Sequence, residues 1–267
     1  MSKNTNDGLF AVCVSSKGGV GKSTIARQVI APLLFNNFNE KVKLIEVDDN
    51  NTTDTFTSSI FSSQSYKVSA GINEALKSLF EVYNNEKIII DGGGGNDSNK
   101  LVDALLSMDI DKHTIYFIPI LKNRSGMKNL INMYKKIRAK SNSKIVVILN
   151  QTKSNDTNII KADFSYFFGS EELNIKGAIS DLYQDENLII TNLIDTNVYD
   201  LSESLNLTSY EIANQKLGGN FLQTQSKLGQ KEFLEALAFK KIHNLCVENM
   251  HDSLSPFFND VGAIWKR

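Results

Sequence analysis

The chain has 267 residues, 41% apolar and 22% charged, with a formal net charge of −1. That balance excludes a disordered or collagen-like chain, and it leaves no global attraction to nucleic acid or anionic membrane, so any such binding must come from a local patch. Two cysteines, Cys13 and Cys246, with no CxxC pair, give no ground for a metal or iron–sulfur site. No apolar run approaches the roughly 20 residues of a membrane span. The opening "MSKNTNDG" lacks the apolar centre of a signal peptide, so a cytoplasmic location is expected. With three prolines and no repeat or low-complexity linker, residues 1–267 read as a single domain.

In chain order, the apolar run 9–15 predicts a buried strand and 25–35 a helix. A second strand is expected over 41–47, a helix over 72–83 and a third strand over 87–91. Runs 113–120 and 144–150 predict two more strands, flanking a helix over 127–139. Weaker strand patterns cover 173–180 and 186–194, and a long helix covers 231–250. Apolar strands alternating with helices imply an α/β fold, a mostly parallel central sheet with helices on both faces.

Ligands of such sheets bind at the carboxyl ends of the strands. The first strand ends in "VSSKGGVGKSTIARQ", the second in Asp48-Asp49-Asn50, the third in Asp91 and four glycines, and the strand over 144–150 in Asn150. A phosphate loop asks for Gly, four residues, then Gly-Lys-Ser/Thr. Gly21, Lys22 and Ser23 satisfy its end, but Ser16 stands where its first glycine belongs, and Lys17 adds a second lysine. Gly18, Gly19 and Gly21 let successive N–H groups turn inward around anionic oxygens, at the N-terminus of the following helix. Lys22 can then reach the outer phosphates, Ser23 a magnesium ion and Thr24 an inner phosphate. Asp91, after three isoleucines, needs a cation or partner in a buried strand and fits a magnesium acid; a turn aspartate is the plainer reading. Asp48 fits an acid that orients attacking water or holds a magnesium-bound water. Asn150 fits nucleobase recognition, because an amide both donates and accepts.

Residues 17–24, "KGGVGKST", resemble the deviant Walker A motif of the ParA/MinD ATPases, P-loop proteins of the SIMIBI class. "LIEVDDNNTTD" resembles the family's second motif, usually Asp-x-Asp-Pro-Gln, with Glu46 at the first aspartate and Asp48 at the second. "IIIDGGGG" resembles the third, with Gly92 where proline is common, and "IVVILNQ" the strand that bears the family's adenine-contacting asparagine. The resemblance spans roughly residues 9 to 153 and is strongest toward plasmid-partition members. It implies a deviant Walker A P-loop fold, ATP and Mg2+ as cofactors, and an ATPase that forms a homodimer with ATP. Lys17, Lys22 and Asp48 take the catalytic places. Lys17, Gly18, Gly19, Val20, Gly21, Lys22, Ser23, Thr24 and Asn150 hold nucleotide, and Ser23 and Asp91 the metal. Lys17 would reach the phosphates of the partner subunit; on its own it also reads as a solvated lysine at a strand end. The resemblance further implies nonspecific DNA binding in the ATP state and an adaptor or centromere-binding protein that stimulates hydrolysis, in a role such as plasmid partition. A MinD-like membrane-associated ATPase and a positioning ATPase for another cargo are the alternatives. A metabolic relative such as a ligase or reductase fits less, the reductase for want of cluster cysteines.

Two further stretches bear on partners. Residues 121–144 hold eight Lys/Arg and no Asp or Glu, which fits either a phosphate-binding surface or the solvated face of a helix with Met127, Leu130, Ile131 and Tyr134 inside. The tail "SPFFNDVGAIWKR" has only two cations and includes Pro256 and Asp260, so a docked tail or partner contact is expected in preference to a membrane helix.

Overall fold

The computed structural model describes residues 9–47, 56, 58–67, 76, 86–108, 113–182 and 184–265. Its strands are β1 (Leu9–Cys13), β2 (Val42–Val47), β3 (Phe61–Tyr66), β4 (Lys87–Gly92), β5 (Thr114–Ile120), β6 (Lys144–Thr152) and β7 (Leu188–Ile194). They form one sheet in the order β3-β2-β4-β1-β5-β6-β7, and every neighbouring pair is parallel.

Alternation along the strands produces two cores. Phe10, Val12, Ile88, Ile90, Tyr116, Ile118, Ile145 and Val147 point to one face, and Ala11, Cys13, Ile89, Ile115, Phe117, Val146 and Ile148 to the other. Successive strand residues face opposite sides, so a strand covered on both sides must be apolar throughout. The first face is covered by α3 (Asn96–Ser107) and α4 (Arg124–Arg138), with α5 (Thr157–Asp163) and α6 (Ser165–Phe168) at its edge. The second is covered by α1 (Lys22–Ile25), a π-helical turn (Ala26–Ile30) and α2 (Ala31–Phe38). Short helices α7 (Val198–Glu203), α8 (Ser209–Ala213) and α9 (Phe221–Ser226) lead to α10 (Gln230–Asn249) and, through a π-helical turn (Met250–Leu254), to α11 (Ser255–Gly262).

Several expectations are corrected. Residues 173–180 form no strand: a turn closed by a single bridge, Ser170 to Ile175, leads into a 3-10 turn (Ala178–Asp181). Leu173 is exposed there, and a Cβ on Gly177 would come within 2.3 Å of the Phe168 carbonyl carbon, so the segment folds back on α6 instead of extending. Strand β3 was not anticipated, because "FSSQSY" has little apolar content; at the sheet edge it has one strand neighbour and needs little. Helix α3 was obscured by the four glycines before it. The first helix starts three residues before the expected 25, directly after Gly21. Of the helix expected over 72–83, only Leu76 is described; it is helical and buried. Both cysteines are free and buried. The tail is docked: Phe257, Phe258 and Val261 of α11 are buried in the second core. Among the described residues no helix is long and apolar enough to cross a membrane.

Candidate functional site

Strand β1 stops at Cys13, and the chain turns through residues 14–21 before entering α1. Gly19 and Gly21 have φ of 70° and 85°, left-handed values that favour glycine. Beside the turn lies a cavity of about 420 Å³ lined by Gly18, Gly19, Gly21, Lys22, Ser23, Thr24, Glu46, Asp91 and residues 92–94. Lys22, only 8% exposed, lines it, and its Nζ donates to the Lys17 carbonyl at 3.4 Å. Ser98, not anticipated, fastens the two glycine segments: its Oγ accepts from Ser15 N at 3.2 Å and donates to the Gly93 carbonyl at 2.6 Å. The strand end beyond Asp91 is tight. A Cβ on Gly92 would meet Val14 Cγ1 at 3.1 Å and Leu101 Cδ2 at 3.0 Å, which accounts for glycine there.

Asp91 pairs in register with Glu46 of β2, and both carboxylates are buried at this rim. Burial pushes the Asp91 carboxyl up to about 6; hydrogen bonding from Ser23 and the charge of Lys22 oppose the rise, and the charge of Glu46 adds to it. Its Oδ1 is buried with no hydrogen-bond partner among the described residues. Glu46, by contrast, is satisfied. Arg27 Nε donates to its Oε1 at 2.9 Å, Arg27 Nη2 donates to the same atom, and Ser65 Oγ donates to Oε2 at 3.3 Å. Arg27 also lies 3.9 Å from Glu203. Sequence reasoning passed over Arg27; its place one helical turn beyond Ser23, on the same helix face, was the available signal.

A second cavity, about 570 Å³, adjoins the first through Gly21 and Thr24 and is also lined by Ile25, Asn150, Gln151, Ile194 and residues 195–200 in part. Asn150 Nδ2 donates to the Val20 carbonyl at 2.9 Å, and its Oδ1 accepts from Gln151 N at 3.0 Å. Gln151 has φ 60°, where β6 breaks its register with β7. Tyr199 is buried at this end, and burial pushes its phenol up to about 12. Residues 194–200 were not singled out from the sequence, since no motif marks them.

The structure therefore brings Gly18, Gly19, Gly21, Lys22, Ser23, Thr24 and Asp91 to one cavity, with Asn150 at the adjoining one. Val20 is buried beneath the loop. Lys17 lies apart: its Nζ donates to Asn123 Oδ1 at 3.2 Å and to Ser125 Oγ at 3.1 Å, at the N-terminus of α4, whose cap is Asn123. Asp48 lies outside the described residues.

Helix α4 carries most of the basic stretch. Lys122, Lys136 and Arg138 are paired with Asp163, Asp103 and Asp185. Arg124, Lys128 and Lys135 are exposed, and at 100° per residue they fall within about 40° of one another on the helix.

No family model and no curated protein matches the chain. Solved structures similar to it include a Cyanothece McdA in complex with ATP, at 13% identity and TM-score 0.49, covering 88% of this chain and 95% of that one. A plasmid partition protein from Borrelia burgdorferi aligns at 16% identity and TM-score 0.46, over 75% and 96% of the two chains. The MinD cell division protein of Aquifex aeolicus aligns at 16% and 0.45, over 71% and 83%.

Proposed function

We propose that the chain is a ParA/MinD-like ATPase switch, which binds ATP with Mg2+, dimerises in that state and hydrolyses ATP to ADP. One observation carries the reading: Lys22, Ser23 and the unpaired, buried Oδ1 of Asp91 converge on a single glycine-walled cavity. An unpaired carboxylate oxygen is costly to bury, and a cation beside it removes the cost. The site suits magnesium, which is commonly held by one or two protein oxygens together with substrate phosphates. Ser23 and Asp91 would hold it, Lys22 would bind the phosphates, the N–H groups of residues 18–21 would line their path, and Thr24 would meet an inner phosphate. Lys17 would serve the partner subunit's nucleotide, which requires it to leave Asn123 and Ser125. Asp48 would orient water.

In the ATP state the exposed stripe of Arg124, Lys128 and Lys135 would neutralise DNA phosphates without reading sequence, and an adaptor protein would stimulate hydrolysis. The cargo of such a switch would be DNA, as in plasmid partition. A membrane-associated role draws no support from the tail, whose Phe257, Phe258 and Val261 are already buried. A salt-titrated DNA-binding assay with ATP, with ADP and without nucleotide tests the proposal. Binding specific to ATP that weakens with salt is expected, and absence of ATP-dependent binding at low salt would remove the DNA role. Lys17→Ala should abolish ATP-dependent dimerisation in size-exclusion chromatography; unchanged dimerisation and ATPase activity would sink the shared-lysine mechanism.

A further inference from the structure

We infer that Asn150, whatever it contributes to the base, is a positioning residue for the phosphate loop that sets phosphate affinity; the inference rests on the nucleotide reading above. Asn150 ends β6 across the loop from Asp91, and its Nδ2 donates to the Val20 carbonyl at 2.9 Å. A trans peptide holds its C=O and the next N–H in opposite directions. Fixing the Val20 carbonyl toward β6 therefore turns the Gly21 N–H away from β6, toward the side on which phosphates would lie. The contact is close: a Cβ on Gly21 would come within 2.8 Å of Asn150 Nδ2, at the residue whose φ of 85° delivers the chain into α1. The amide is itself held. Its Oδ1 accepts from Gln151 N, and Gln151 adopts a left-handed φ of 60°, uncommon for a residue with a side chain. The loop thus gains a donor at a carbonyl that its own glycines leave free to rotate.

One Nδ2 hydrogen and one Oδ1 lone pair remain open for a base, so loop and base are separated by choice of ligand. Inorganic tripolyphosphate has the phosphates and no base; ITP bears hypoxanthine, with a carbonyl in place of the adenine amine. With Mg2+ present, calorimetric titration of Asn150→Ala should show tripolyphosphate weakened about three- to tenfold, the scale of one lost neutral hydrogen bond, and ATP weakened by at least as much, any further loss against ITP reporting the base. Asn150→Leu, of similar size and without either hydrogen bond, should behave alike, and a thermal melt of each variant checks that it is folded. Undiminished tripolyphosphate binding by the folded variants overturns the inference, whatever happens to the preference for ATP over ITP. If the unaltered chain bound neither ATP nor tripolyphosphate, the nucleotide reading would fall first and this inference with it.

Discussion

At the end of the cleft proposed to take phosphates, residues 18–24 come from one continuous stretch and Asp91 from the adjacent strand, β1 and β4 being paired from Leu9 to Cys13. At the other end, Asn150 and Gln151 come from β6, Ile194 from β7, and the remaining lining from the segment leading into α7. The first end is made of backbone, glycine and a few charges, with Lys22, Glu46 and Asp91 buried and Gly18 and Gly19 exposed. The second is wider and partly exposed, with polar side chains such as Asp195, Asn197 and Asp200 at its surface. A triphosphate presents the same oxygens whatever base it bears, so a fixed cradle serves it; a base is bound by assorted edges and contacts that many side chains can supply.

The sharpest way to break that comparison is Lys22→Ala. Loss of two charge-assisted hydrogen bonds is worth about 3–6 kcal/mol, so ATP affinity in a titration should fall a hundredfold or more; a smaller loss would mean that the cradle does not depend on charge. Next comes the support behind the cradle. Phe257 shares a core with Ile25 and Val29 of the helix that follows the loop, and Phe257→Ala should cost about 3–5 kcal/mol in urea unfolding.

Asp91 comes third. Its folded-state carboxyl is raised from the ordinary 3.8 to about 6, so its contribution is most favourable below about pH 4 and is lost as pH rises through 6. That loss is about 3 kcal/mol by pH 7.5 in the ligand-free chain. Asp91→Asn should therefore raise the ligand-free melting temperature at pH 7.5, with the gain shrinking toward pH 4, while Mg2+-dependent hydrolysis is lost. Equal melting curves for variant and parent at both pH values would show that the buried oxygen is not under strain. The smallest effect belongs to the base end: Gln151→Gly relieves a left-handed residue at the expense of chain entropy, and a stability gain under about 1 kcal/mol is expected in the same unfolding assay.

How legible each end was follows from the same contrast. The cradle could be read because its residues lie within eight positions and glycine, lysine and serine each do one job there. The parallel sheet could be read because β1, β4, β5 and β6 are apolar on both faces. What was missed depends on contacts remote in sequence. Arg27 neutralises Glu46 across two elements, Ser98 ties together loops 83 positions apart, and Lys17 rests on Asn123, 106 positions away. Strand β3 was missed because an edge strand of serines leaves no periodic apolar trace. The strand expected over 173–180 failed for the opposite reason: Leu173, Ile175 and Ile179 suggest alternation, but Gly177 packs against α6 backbone and bends the chain.

Helix α11 has a consequence for how the molecule is made. Leu254, Phe257, Phe258 and Val261 complete the core that also holds Leu33 and Leu34 of α2 and Ile25 beside the phosphate loop. During synthesis, the loop and its helix emerge long before the residues that seal them, and so wait with apolar surface open. Such long-range closure slows folding and lengthens exposure to aggregation. A ribosome-stalled chain that ends before residue 254 would thus present the glycine loop on an unsealed core, and the proposed nucleotide site would mature only after α11 has docked.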